Sequence, residues 1–284
     1  MPFLKDLNLG DKIFALFISR SGAGKTTAAA SFPNPIFLDF DGRIRGLLGS
    51  PHIDIKKIFY EQFLPGEDNS TWDKFDEQLT SAKTLIKNRQ FPYETLILDS
   101  LTSFTNLMLL EGMRVVQNGR SFPGKSSLRI PGPGDYLYES MATKQALDKL
   151  RTLSRYMNVI VKAHIIPRYG KPVQRTIQGE KVKASDGEDI FNFLADSEEV
   201  GEKLAIRDKL GEDAKLYFDE IYRFEKVTEG DQNKHWIDFD TDMARSAIGF
   251  KGKEDITGKN FHTYWKEKVN LLGAANKDKV VAIK

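Results

Sequence analysis

The sequence predicts an α/β fold, with a mainly parallel central sheet flanked by helices. Three observations predict it. An apolar run from Ile13 to Ile18 ends in a small polar loop, after which Gly24-Lys25-Thr26 opens an alanine-rich helix. Further short apolar runs, Ile36–Asp41, Thr95–Asp99 and Asn158–His164, each end in an acid or a histidine. Between them lie stretches with apolar residues at helical spacing, including Trp72–Ile86 and Leu137–Met157. Strands separated by helices pair in parallel, and ligands then collect at their carboxyl ends.

Composition bounds the function. A chain of 284 residues holds one large α/β domain with elaborations, or two small ones. A hydrophobic share of 40% with 11% aromatic residues is enough for a full core. The absence of cysteine excludes disulfides and cysteine metal sites and fits a reducing cytoplasm. His52, His164, His235 and His262 show no metal-ligand spacing. Neither a signal peptide nor a membrane-spanning run is evident, so no membrane is expected and the location expected is cytoplasmic. A net charge of +2 carries little by itself.

In chain order, Phe3, Leu4 and Leu7 of the polar lead-in are expected to dock on their own domain. The loop Ser19-Arg20-Ser21-Gly22-Ala23-Gly24-Lys25-Thr26-Thr27 follows a strand and opens a helix, the context of a Walker A phosphate loop. Gly22 and Gly24 allow backbone conformations that aim N–H groups at phosphate oxygens, and the positive helix end adds to the attraction. Lys25 would reach the β- and γ-phosphates, and the Thr26 hydroxyl would ligate Mg²⁺. Ser19 stands where the pattern calls for glycine, and it is small enough for a turn leaving a strand. ATP and Mg²⁺ are therefore the expected ligands.

Pro33 and Pro35 break the chain before the second strand, Ile36–Asp41, and Ile53–Phe59 reads as a third. Ser70 and Asp73 cap the helix that carries Trp72, Phe75, Leu79, Ala82 and Ile86. Thr95–Asp99 is a buried strand and Leu101–Met113 a buried helix. Residues 118–134, rich in glycine and proline, are expected to form a long irregular loop. Asp135 is expected to cap a helix whose core face holds Leu137, Met141, Leu147, Leu150, Leu153 and Met157. Lys171–Lys183 alternates like an extended hairpin, and Asp186–Gly211 reads as an acidic helical elaboration. Phe218–Val227 and His235–Phe239 read as paired strands across Thr228–Lys234. Residues 1–250 would form the core, with 251–284 a C-terminal helix and basic tail.

Three strand ends carry candidate chemistry. Asp99, after four apolar residues, is placed to hold the water shell of Mg²⁺ opposite Thr26. Asp39 and Asp41 end the neighbouring strand, where a carboxylate is needed to orient a water against the γ-phosphate; Asp41-Gly42 is equally good turn chemistry. His164 either touches the γ-phosphate and reports its loss, or is a satisfied core histidine.

Taken together these motifs resemble RecA-like P-loop NTPases. Leu96-Ile-Leu-Asp-Ser100 is similar to their Asp-Ser Walker B strand, and Phe37–Gly42 to the strand whose second acid, here Asp41, is the catalytic carboxylate. Val159–His164 is similar to the sensor strand, which ends in Thr-Ala-His in many phage homologues. Phe218–Arg223 and Ala244–Ser246 resemble the back half of that fold, with the usual basic pair reduced to Arg245 as a trans-acting cation. The likeness spans roughly residues 11–250 and is strongest to short phage-encoded ATPases of the single-strand annealing and recombinase type. It implies catalytic roles for Lys25, Asp41, Asp99 and His164, and Mg²⁺ ligation by Thr26 and Asp99. The partners it implies are single-stranded DNA, a homo-oligomer (ring or filament) and a single-strand-binding protein. A phage-encoded member would act in the cytoplasm of its bacterial host.

The DNA expectation rests also on charge. Between Gly112 and Gly134 every charged residue is positive, and Arg120, Lys125 and Arg129 flank Phe122, which could stack on a base. Arg155–Arg175 holds Arg168, Lys171 and Arg175 with no acid. Both stretches occupy the slots of the DNA-binding loops in RecA-like proteins. The acidic stretch 186–220 opposes a uniformly DNA-facing surface. Two other readings stand: a RecA-fold or AAA-type motor (helicase or helicase loader), and a nucleotide-gated scaffold that binds no DNA.

Overall fold

The structure is a computed structural model of the chain. It describes residues 12–50, 53–64, 70–116, 120–122, 125–169, 176–177, 180–181, 199–218, 220–246 and 250–281. For 120–122, 125–128, 169, 176–177, 180–181, 199–200, 208 and 272–281 it gives the backbone course.

Strand β1 (Phe14–Ser19) runs through the phosphate loop into helix α1 (Lys25–Ala30). β2 (Pro35–Asp39), two short 3-10 turns (Ile44–Gly49 and Ile55–Lys57) and β3 (Phe59–Gln62) come next. α2 (Thr71–Lys87), β4 (Thr95–Asp99) and α3 (Leu101–Val115) lead to a hairpin of β5 (Arg120–Phe122) and β6 (Lys125–Ile130). α4 (Pro133–Leu153) precedes the long β7 (Asn158–Tyr169), the ribbon β8 (Thr176–Ile177) and β9 (Glu180–Lys181), and β10 (Glu199–Leu204). α5 (Asp208–Lys215), β11 (Glu220–Glu229), β12 (Gln232–Asp238), β13 (Arg245–Ser246), β14 (Lys253–Asp255) and α6 (Phe261–Val281) complete the chain.

The main sheet has the order β14-β12-β11-β1-β7-β4-β2-β3, with β10 on β7 and β13 on β11. From β11 to β3 every pairing is parallel. β10, β12, β13 and β14 pair antiparallel at the margins. Parallel strands are covered on both faces, which is why β1 and β4 read as continuous apolar runs without alternation. Leu16 and Ile18 pack on one face with Phe75 of α2, Phe104 of α3 and Leu147 of α4. Ala15 and Phe17 point to the other face, against Ala28 of α1 and Phe261 and Trp265 of α6. The Phe261 ring lies 5.4 Å from Phe17, 5.6 Å from Tyr222 and 5.5 Å from Phe224, and Trp265 Nε1 donates to the Tyr222 hydroxyl at 3.1 Å. β14 extends the sheet, so residues 253–269 take part in this second core.

Several local expectations are corrected. Residues 118–134 are not a plain loop: β5 and β6 pair antiparallel, Arg120 opposite Ile130 and Ser121 opposite Arg129. Glycine and proline dominate the ends of that stretch, but Lys125–Ile130 contains neither, leaving six residues free to extend. Gly132, not Asp135, caps α4; Pro133 takes the first turn and the Asp135 carboxylate accepts from Gly132 N at 2.8 Å. Leu137 and Met141 are 60% and 52% exposed. The first half of α4 turns Asp135, Glu139 and Thr143 inward, and Ala142, Ala146, Leu147, Leu150 and Leu153 supply the apolar face. The described part of the acidic stretch is not all helix: Glu199–Leu204 is a strand, because β7 runs past the core and offers an edge to pair with, and a helix starts at Asp208. Residues 186–198 lie outside the described residues, as does the lead-in with Phe3, Leu4 and Leu7. The third strand starts at Phe59, after a 3-10 turn. The hairpin of β11 and β12 is as expected, with a tighter turn, Glu229 opposite Gln232.

Candidate nucleotide site

Four parallel strand ends meet around the phosphate loop. Gly22 and Gly24 adopt φ of +80° and +93°, values that side chains other than glycine's rarely tolerate. A Cβ on Gly24 would stand 3.3 Å from Nδ1 of His235, whose ring donates to the Ala23 carbonyl at 3.3 Å. His235 on β12 thus braces the loop from the side. The Lys25 ammonium folds back on the loop, donating to Ser19 Oγ at 2.5 Å, the Ser19 carbonyl at 3.1 Å and the Arg20 carbonyl at 3.3 Å. Ser19, in the glycine position of the pattern, therefore supplies a hydroxyl that holds the lysine. Burial first, then the neighbouring Lys162 charge, pushes Lys25 down to about 7, against the pull of Asp99 and Asp41.

β7 lies between the strand of the phosphate loop and the strand of Asp99. Ile160, Lys162 and His164 alternate toward the α1 face, and Ile160 packs with Ala28 and Ala29. Lys162 reaches up between its neighbours: its ammonium donates to Asp99 Oδ2 and to Thr26 Oγ1, each at 2.5 Å, with the side chain 4% exposed. The same two oxygens are those the sequence assigns to Mg²⁺.

The two acids at the end of β2 separate clearly. Asp39 is fully buried, and its Oδ1 accepts from Asp41 N at 3.1 Å and Gly42 N at 2.8 Å, shaping the turn in which Gly42 has φ +67°. Burial raises its pKa, with Gly42 N–H opposing. Asp41 faces the cleft. Its Oδ1 accepts from Ser100 Oγ at 2.9 Å and from Ser103 Oγ, and its Oδ2 from His164 Nε2 at 3.3 Å. Burial works to raise the Asp41 carboxyl, but the hydrogen bonds of His164, Ser103 and Ser100 outweigh it and hold the group well below the carboxylate range. A cleft of about 320 Å³ is lined by Gly24, Lys25, Thr26, Asp41, Asp99 and His164, among others.

The other expected site residues are more dispersed. Ser21 and Thr27 lie on the loop and α1, and the Thr27 hydroxyl meets Ser50 Oγ at 3.1 Å. Arg20 lies 3.5 Å from Glu202, which also holds Arg223 at 2.7 Å. Arg245 donates to the carbonyls of Lys215 and Phe218 in its own chain, at the end of α5. Arg129 is half-buried and donates to the Met113 carbonyl at 2.7 Å; Arg168 is exposed near the end of β7. Arg120, Phe122 and Lys125 belong to the β5–β6 hairpin by backbone position. Lys171 and Arg175 lie outside the described residues.

Sequence reasoning missed Lys162, His235, Ser100 and Ser103 as parts of this cleft. A signal existed for Lys162. An ammonium inside a buried apolar strand needs a partner, and its place two residues before His164 sets both on one face.

The residues present fit ATP and Mg²⁺: hard oxygen donors at Thr26 and Asp99 already converge on one cation, and the glycine-rich loop leaves room for phosphates. A mostly parallel sheet with a phosphate loop at its centre, one strand between and an acid-ended strand beyond it has the RecA-like P-loop NTPase fold. The AAA-domain family matches residues 11–262, and the chain belongs to that family. No curated protein matches the sequence. Among solved structures, a KaiC-like protein from the hyperthermophilic archaeon Pyrococcus horikoshii is similar at 15% identity and TM-score 0.40, covering 86% of this chain and 88% of its own. The flagellar accessory protein FlaH from Methanocaldococcus jannaschii is similar at 8% identity and TM-score 0.37, covering 89% and 88%. No helix among the described residues is long and apolar enough to cross a membrane.

Proposed function

We propose that the protein is a Mg²⁺-dependent ATPase that works as a homo-oligomer and couples ATP hydrolysis to binding of single-stranded DNA, in recombination or annealing. The observation that carries the ATPase reading is the convergence of Lys25, Thr26, Asp99 and the Asp41–His164 pair at the carboxyl ends of adjacent strands. In this reading the loop N–H groups and Lys25 bind the β- and γ-phosphates. Thr26 and Asp99 would hold Mg²⁺, which supplies charge neutralisation at those phosphates. Asp41, fixed by two serines and His164, accepts a hydrogen bond from the attacking water and points its lone pair at the γ-phosphorus. The bond from that phosphorus to the β,γ-bridging oxygen breaks, ADP leaves with the electron pair, and the water proton passes to the phosphate product. A carboxylate held this acidic orients the water more than it takes the proton, which suits a loose phosphoryl-transfer transition state.

The DNA arm is supported by the charge of the β5–β6 hairpin, which joins α3 to α4, and by that of the sequence after β7, a strand of the cleft. Phosphate release measured with and without single-stranded DNA tests both arms. Mg²⁺-dependent turnover raised by DNA supports the proposal. Turnover indifferent to DNA, with no DNA retained at low salt, removes the DNA arm and favours the scaffold reading. Replacing Arg120, Lys125 and Arg129 together by alanine should flatten the salt dependence of DNA binding by about two units on a log–log plot. Particle size with a non-hydrolysable ATP analogue tests the oligomer.

A further inference from the structure

We infer that Lys162 is a resident cation of the nucleotide site, an ammonium that holds the Thr26–Asp99 oxygen pair and gives it up when divalent metal binds there. This rests on the nucleotide reading of the cleft, but its central test does not need nucleotide.

The geometry is specific. Lys162 Nζ stands 2.5 Å from both Thr26 Oγ1 and Asp99 Oδ2, on the strand between β1, which leads into the loop and α1, and β4, which ends in Asp99. Lys25, the cation the motif provides for phosphate, does not share this duty; it is turned toward Ser19 and Arg20. The site therefore holds two ammonium groups with separate partners, one on the loop and one at the metal position. A buried carboxylate left without a counter-charge is strongly disfavoured, and Lys162 removes that cost for Asp99 before any ligand arrives.

A cation at this position has two consequences. It competes with divalent metal for the same oxygens, so metal affinity of the nucleotide-free protein is reduced. It also offers positive charge beside the phosphates when no metal is present, so nucleotide binding tolerates metal removal. Sites that rely on Thr and Asp alone have neither property.

Lys162→Met, similar in length and without charge, is the test. Mn²⁺ binding to the nucleotide-free protein, followed by electron paramagnetic resonance, should tighten by about tenfold or more in the variant. Affinity for a fluorescent ATP analogue in EDTA should fall by a similar factor, about tenfold, while affinity with excess Mg²⁺ stays near wild type. Equal Mn²⁺ affinity in wild type and variant would overturn the inference, because the lysine would then not occupy the metal position. Should the methionine variant fail to fold, Lys162→Thr repeats the comparison with a hydroxyl in the strand. The wild type alone also decides: undetectable binding of the analogue in EDTA beside tight binding with Mg²⁺ would overturn the inference. Absence of analogue binding in both buffers would overturn the nucleotide reading itself, and the Mn²⁺ comparison would still decide the role of the lysine.

Discussion

Asp41→Asn is the change that reads the chemistry of the cleft most directly. The Asp41 carboxylate takes three hydrogen bonds, from Ser100, Ser103 and His164. Hydrogen bonds to a charged group are worth about 1.5–3 kcal/mol each, and about 1.4 kcal/mol is tenfold in rate. Removing one of the three by Ser103→Ala leaves the carboxylate charged but less firmly aimed, and kcat should drop by about tenfold. In the proposed mechanism Asp41→Asn removes the charge that orients the water, and kcat should fall by about 10²–10⁴, the range of a lost acid–base group. Nucleotide affinity should change by no more than about twofold in either variant, because neither group belongs to the phosphate loop. Asp39→Asn is the control: an asparagine Oδ1 can still accept from Asp41 N and Gly42 N, so the turn and the rate should survive. Phosphate release at saturating MgATP, with a separate titration of a fluorescent analogue, measures both quantities. If Asp39→Asn abolishes turnover and Asp41→Asn does not, the roles assigned to these acids are reversed and the reasoning fails.

Three other outcomes follow from the same structure. Phe261→Ala should cost about 3–5 kcal/mol in urea unfolding, since the ring is buried among Phe17, Tyr222 and Phe224; a loss below about 1 kcal/mol would make α6 a peripheral appendage. Gly24→Ala should abolish nucleotide binding with the fold intact, because alanine strains a φ of +93° and its Cβ presses on His235; undiminished affinity would refute the loop geometry. Lys25 is lowered from 10.5 to about 7 by burial and by Lys162, so between those values the unfolded chain binds the proton that the folded one has lost. Stability without ligand should therefore rise with pH across that window, by up to about 1.4 kcal/mol per unit, and Lys25→Met should flatten the rise. Parallel stability profiles for the two proteins would show that Lys25 is not strained by its site.

The strands of the cleft were legible because each combines an apolar run with a polar end, and burial on both faces erases the alternation that would mark an exposed sheet. The phosphate loop was legible in spacing alone, despite Ser19. Residue pattern alone left Asp39 and Asp41 open, since both fit a turn and a cleft, and only the family resemblance singled out Asp41; the side chain that bonds Gly42 N is known once the turn is built. Lys162 was hidden by being counted with its basic neighbours, although Arg168 is exposed and Lys162 is enclosed. The β5–β6 hairpin was missed because glycine and proline at the ends of 118–134 hid the six extendable residues Lys125–Ile130 between them. β10 was missed because its partner is the distant, overhanging end of β7, of which local composition says nothing. The apolar residues Leu137 and Met141 misled because helical spacing finds a face without saying which face looks inward, and here buried Glu139, held by Arg207, occupies the inner side.

Because β7 lies between the loop strand and the acid strand, its alternate residues act as a graduated rule laid across the cleft. Position 160 reaches the packing beneath the loop helix, position 162 the Thr26–Asp99 oxygen pair and position 164 the Asp41 carboxylate. In the proposed reading, metal binding and hydrolytic rate would then answer to different residues of one strand. The strand itself continues past the cleft to Tyr169.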